Sequence, residues 1–141
     1  MIVDKNKAKI SNCDDNRLGE NVFAFEKLKV YELALAFSKQ LYEVTEDFPA
    51  KEKFGLVSQI RRAGVSVLAN IAEGSGRYHK KDFQQFIRIS RSSIYECVSL
   101  LRLSKELSFI KVERYDIFYS MSNRLARMLN SLINSLEEAG K

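Results

Sequence analysis

The stretch from Phe54 to Tyr78 reads FGLVSQIRRAGVSVLANIAEGSGRY and organises the chain. Projected at about 100° per residue, Leu56, Val57, Ile60, Ala63, Gly64, Val65, Val67, Leu68, Ile71 and Ala72 spread over an arc of roughly 200°, about twice the apolar stripe of an ordinary surface helix. One neighbouring layer cannot cover that arc. Either this helix is the most buried of a monomer, or another copy of the chain covers part of it, with Val65, Leu68 and Ala72 as the candidate oligomer interface. The remaining arc carries Gln59, Arg62, Ser66, Asn70 and Glu73, three or four residues apart, as one polar file of mixed donors and acceptors. Gly74 is expected to end the helix in the left-handed conformation, and Gly76 to keep the chain turning.

The same periodicity predicts three further helices. The first runs from Phe25 to near Glu46, with Val30, Leu33, Ala34, Phe37, Leu41 and Val44 as its apolar stripe. Pro49, the only proline, breaks the pattern after it. The central helix then spans about Lys51 to Glu73, with Glu52 in its first turn, where a carboxylate meets the positive end of the helix dipole. A third helix spans His79 or Lys80 to about Leu107, and a fourth about Val112 to Glu138. No stretch alternates with period two for long enough to predict a strand. Short connections between long amphipathic helices make consecutive helices antiparallel neighbours, so the expected fold is all-α, an up-down-up-down four-helix bundle. Residues 1–24 lack periodicity and are expected to form a disordered or loosely packed tail, leaving residues 25–141 as the bundle domain.

Composition narrows the class. The 141 residues suffice for one domain with a real core. No apolar run is long enough to span a bilayer, and the N-terminal residues lack the apolar core of a signal peptide. Cys13 and Cys97 give neither a metal spacing nor a disulfide framework, and a cytoplasmic location is expected. Net charge is +5, and its distribution says more than its size. Residues 61–91 hold seven basic groups (Arg61, Arg62, Arg77, Lys80, Lys81, Arg88 and Arg91) against two acidic ones, Glu73 and Asp82, while the rest of the chain is nearly balanced. Such a segment suits a polyanion, because each neutralised phosphate releases counterions; a solvated basic face is the plainer alternative.

Catalytic constellations are missing from the sequence. His79 is the only histidine, so no His pair can hold a metal and no Ser/His/Asp or Cys/His arrangement can be assembled around it. No catalytic residue, metal or cofactor is expected. Gly74-Ser75-Gly76-Arg77 lacks the spacing of a phosphate loop and follows a helix instead of a strand, so a helix cap is the better reading. Arg62 and Glu73 lie about 16 Å apart along one helix and must pair elsewhere. Hydrogen bonds and ion pairs to adjacent helices are the expected use of the polar file. Arg61, among Val65, Leu68 and Ala72, needs a packed stem and a partner for its guanidinium.

The run FPAKEKFGLVSQIRRAGVSVLANIAEGSGR, together with FEKLKVYELA before it and KKDFQQFIRISRSSIYECVSLL after it, closely resembles the bacterial four helix bundle proteins first noticed as 23S rRNA intervening-sequence proteins. The resemblance extends from Phe25 through Ile110. It implies a four-helix bundle assembled into a homo-oligomer, a pentameric ring, and relatedness to the accessory variability proteins of diversity-generating retroelements, basic oligomers that bind nucleic acid and a reverse transcriptase. Ser90, Ser92 and Ser93 stand where the family is smaller, which implies a looser helix contact.

Three functions follow, in order of weight. The first is a non-enzymatic, oligomeric protein that binds RNA or DNA through Arg61, Arg77, Lys80, Lys81, Arg88 and Arg91, with Tyr78 stacking on an unpaired base. The second is a protein-interaction scaffold docking an acidic or nucleic-acid-bound partner such as a reverse transcriptase. The third, an enzyme acting on a small phosphorylated substrate at residues 74–78, lacks an identifiable general base.

Overall fold

Residue 28 sets the start of the first helix. In the computed structural model, which describes residues 23–139, Leu28 is extended (φ −88°, ψ 119°) and separates a short 3-10 turn, Ala24–Lys27, from helix α1, Lys29–Thr45. The expected N-terminal tail therefore lies, except for its last two residues, outside the described residues. Thr45 closes α1 by donating its hydroxyl back to the Leu41 carbonyl at 2.7 Å.

The second helix begins later than the periodicity predicts. Pro49 (φ −53°, ψ 139°) opens a second 3-10 turn, Ala50–Glu52, and Gly55 (φ −109°, ψ −109°) leaves helical space, so that α2 spans Leu56–Ser75. Glu52 still serves the helix start, now from the turn before it: its carboxylate accepts from the Leu56 N–H at 3.4 Å. The other end of α2 also differs. Gly74 lies inside the helix and is buried, the chain stays helical through Ser75, and no glycine among the described residues has a positive φ. The reason is close packing: a Cβ on Gly74 would sit 2.7 Å from the Cβ of Phe86 and 2.9 Å from Cδ2 of Phe83. Gly74 lets α2 approach the next helix and does not turn the chain.

Helix α3 spans Lys80–Glu106 and α4 spans Val112–Ala139, close to the predicted bounds. Between them the backbone N–H of Phe109 reaches the Ser104 carbonyl and that of Ser108 the Lys105 carbonyl, both at 2.9 Å, while Ser108 takes a left-handed φ of 61°. This pair of bonds caps the carbonyls that a helix end leaves unpaired. No strand occurs among the described residues.

The four helices close on one core, with contacts between α1 and α2, α2 and α3, α3 and α4, and α1 and α4. Phe37 of α1 and Phe118 of α4 are wholly buried and meet edge-on with ring centres 5.9 Å apart. Ile60, Val67 and Ile71 of α2, Ile87 and Leu101 of α3, and Leu125 and Leu129 of α4 fill the remainder. Each such side chain contributes about 1.5–3 kcal/mol through removal from water.

Serines join the layers. Ser38 donates to the Gly64 carbonyl (2.8 Å), Ser90 to the Val67 carbonyl (2.7 Å) and Ser93 to the Ser66 hydroxyl (2.8 Å). The hydroxyls of Ser90 and Ser93 thus bridge the contact between α2 and α3. No buried side-chain nitrogen or oxygen among the described residues lacks a hydrogen-bond partner.

Candidate nucleic-acid interface

The connection from α2 to α3 is short, and its polar residues are forced outward. Tyr78 is 94% exposed, its ring meeting that of His79 edge-on at 5.0 Å. His79 is the extended residue before α3 (φ −92°, ψ 136°), and its carbonyl accepts from the Phe83 N–H. Tyr78, His79, Lys80, Lys81 and Asp82 line an open recess of about 560 Å³.

From there the basic side chains of α3 follow the seam with α4. Lys80 donates to the Ala139 carbonyl at 3.1 Å, Arg88 meets Glu137 at 3.3 Å and Arg91 donates to Asn130 Oδ1 at 2.7 Å. The start of α3 thus lies beside the end of α4. Lys81 is exposed and makes no ion pair among the described residues. Arg77 pairs with Glu73 one turn back at 3.3 Å, and its guanidinium lies 4.7 Å from the centre of the Phe86 ring. Ion pairs this exposed contribute about 0–1 kcal/mol each, so an incoming phosphate can replace the carboxylate at little cost.

Arg61 stands apart from this group. Its guanidinium turns to α1, donating to Thr45 Oγ1 (2.9 Å), the Tyr42 carbonyl (3.3 Å) and Glu46 (3.0 Å), and lies 4.6 Å from the Tyr42 ring centre. The partner that the sequence demanded for this arginine is therefore the end of the first helix.

The polar file divides. Ser66 and Asn70 are half-buried; the Asn70 amide donates to the Ser66 carbonyl (2.8 Å) and hydroxyl (3.0 Å), which also accepts from Ser93. Glu73 holds Arg77, whereas Gln59 and Arg62 are exposed. Val65 is 41% exposed, and Leu68 and Ala72 are half-buried at the margin of the core.

One feature escaped the sequence. A groove of about 380 Å³ between α3 and α4 is lined by residues that include Tyr95, Arg102 and Tyr119. The spacing of seven between Tyr95 and Arg102 places them on one helix face, the face turned away from the apolar stripe that marks the core.

Cys97 is wholly buried, and burial, with the nearby Glu96 charge adding to it, pushes its thiol up to about 12. It stays protonated at neutral pH. No three metal-ligating side chains cluster among the described residues, and no helix among them is long and apolar enough to cross a membrane.

Comparison with known proteins adds two findings. A family model described as 23S rRNA-intervening sequence protein matches residues 26–131, from the first 3-10 turn into α4. The chain is also similar to a crystal structure of a protein with unknown function from the S23 ribosomal protein family of Bacteroides thetaiotaomicron VPI-5482, at 25% identity and a TM-score of 0.67, covering 74% of this chain and 97% of that one. No curated protein matches.

Proposed function

This chain belongs to the 23S rRNA-intervening sequence protein family, and from that premise we propose that it is a non-enzymatic, cytoplasmic nucleic-acid-binding protein that works as a homo-oligomer. The observation that carries the reading is the concentration of seven basic groups against two acidic ones in residues 61–91. Arg77, Lys80, Lys81, Arg88 and Arg91 contact phosphates, and the exposed Tyr78 stacks on a base. Arg61, bonded to α1, shapes the bundle instead of meeting the ligand.

Assembly supplies the affinity that one small patch lacks. In this reading consecutive helices run antiparallel, and five copies close a ring through Val65, Leu68 and Ala72. Linked patches then act at high effective concentration. Tyr42 and Leu35 support this interface: they are 45% and 50% exposed, and Arg61 of α2 lies over Tyr42, so exposed apolar groups of α1 continue the margin of α2.

The test is binding of nuclease-treated protein to labelled RNA and DNA across a salt series, with wild type beside a Lys80→Glu/Lys81→Glu/Arg88→Glu variant. Affinity should fall steeply with salt, with a log-log slope of roughly −0.7 to −0.9 per phosphate neutralised, and the variant should bind all sequences more weakly. Unchanged binding by the folded variant would falsify the site. A second reading, a scaffold for an acidic protein such as a reverse transcriptase, is favoured by the way Arg88 already pairs with a carboxylate. A partner captured in nuclease-resistant form, with no binding of nucleic acid, would establish it.

A further inference from the structure

The groove between α3 and α4 lies beyond the basic seam, on the same side of the bundle. Arg91 bonds Asn130 across the seam, and the groove opens one turn further along α3, at Tyr95. Tyr95 and Tyr119, 69% and 48% exposed, bring aromatic area to its mouth, and Val98 belongs to its apolar floor. Ser99, Arg102 and Asn123 add a hydroxyl, a guanidinium and an amide, and no carboxylate lines it. Arg88 and Arg91 are engaged with α4, whereas the side chains of Tyr95, Ser99, Arg102, Tyr119 and Asn123 make no hydrogen bond or ion pair among the described residues.

Two exposed rings, a free guanidinium and free hydrogen-bonding groups around a small apolar floor form the combination that recognises an unpaired base. The ring stacks on the aromatic side chain, its edge bonds the amide and hydroxyl, and the phosphate meets the arginine. We propose that this groove holds one unpaired base of a single-stranded nucleic acid, stacked on Tyr95 or Tyr119, with the adjoining phosphate on Arg102. The inference rests on the nucleic-acid reading above and adds strand selectivity to it. A duplex keeps its bases stacked inside and has none to offer the groove. From Arg102 back to Lys80 the seam runs roughly 33 Å along α3. A strand seated in the groove can therefore follow Arg91, Arg88 and Lys80 to the loop at Tyr78. A protein helix docking here would need a long apolar trough, whereas this site is short and rimmed by free polar groups.

The test compares wild type, Tyr95→Ala, Tyr119→Ala and Tyr95→Phe on a single-stranded oligonucleotide carrying 4-thiouridine and on a duplex of equal length, with thermal melts confirming the fold. At least one of the two alanine variants, the one that removes the stacking ring, should bind the single strand about tenfold more weakly, and both should bind the duplex within about twofold of wild type. Tyr95→Phe, which keeps the ring, should bind as wild type. Photocrosslinks should map to the peptides that carry Tyr95 and Tyr119. Single-strand binding unchanged in both alanine variants, or crosslinks confined to other helices, overturns the inference while the proposed function stands. A wild type that binds neither ligand overturns both. A change in sedimenting mass of Tyr95→Ala with unchanged oligonucleotide binding makes the groove a contact between copies and also overturns it.

Discussion

A side chain placed on Gly74 of α2 would begin 2.7 Å from the Cβ of Phe86 in α3. The obstacle is rigid, because Phe86 Cβ moves only if its backbone moves. Gly64 shows the contrast: its added Cβ would meet Leu41 Cδ1 at 2.6 Å, the far end of a buried side chain, which can give way without moving its backbone. Alanine gains up to about 1 kcal/mol over glycine inside a helix, whereas overpacking costs about 1–3 kcal/mol. Gly74→Ala should therefore lower stability by about 1–2 kcal/mol and Gly64→Ala by less, as read from denaturant midpoints at constant m. Equal losses at the two sites would mean that the contact between α2 and α3 yields as easily as a side chain.

That glycine also marks where the sequence stopped being legible. Apolar periodicity gave four helices, and it located the ends of the third and fourth closely, because it reports which face of each helix turns away from water. It does not report what that face meets. Gly74 therefore looked like a terminator, although Phe83 and Phe86, nine and twelve residues further on, are the reason it is there. Arg61 announces a need for a partner without naming Thr45 and Glu46, which lie on the other side of the Pro49 turn between α1 and α2. The basic segment was plain from charge alone. The groove at Tyr95 and Tyr119 was not, since it exists only when two helices are side by side.

The left-handed residue among those described is Ser108, after α3, and not Gly74 at the end of α2. The Ser108 φ of 61° carries a steric cost of about 1–2 kcal/mol that glycine escapes, offset in part by the greater freedom of glycine in the unfolded chain. Ser108→Gly should stabilise the bundle by about 0.5–1 kcal/mol and leave ligand binding unchanged, whereas Ser108→Val should destabilise it. A denaturation midpoint that falls in the glycine variant would show that the serine hydroxyl has a role the backbone geometry does not reveal.

The buried thiol of Cys97 gives the protein a pH dependence of known sign. In the folded chain burial holds it protonated up to about 12, while the unfolded thiol ionises near 9. Between those values the unfolded state binds fewer protons than the folded one, so the contribution is fully present below pH 9 and is lost as the pH rises. The slope is about 1.4 kcal/mol per pH unit once the unfolded thiol is ionised. Denaturant titrations of wild type and Cys97→Ala at several pH values from 8 to about 10.5 should show a shallower decline in the variant. In a Cys13→Ser background, maleimide labelling of Cys97 should wait for global unfolding. Fast labelling of the native protein would contradict the burial.

The proposed assembly can be tested without disturbing the core, because Val65 and Leu68 differ in burial. Leu68 packs against the core, so a charge there damages the monomer as well as any interface. Val65 is 41% exposed, and a carboxylate at that position can reach water in a monomer. Buried between copies, the same carboxylate loses its hydration with no partner to replace it, a cost of several kcal/mol at each contact. Val65→Glu should therefore keep the melting temperature of the isolated subunit yet reduce the sedimenting mass, and with it the avidity for nucleic acid. Loss of avidity without loss of mass would place Val65 near the ligand instead of between subunits. A wild type that sediments as a monomer at working concentration would remove the ring, and the single basic segment would then have to bind unaided.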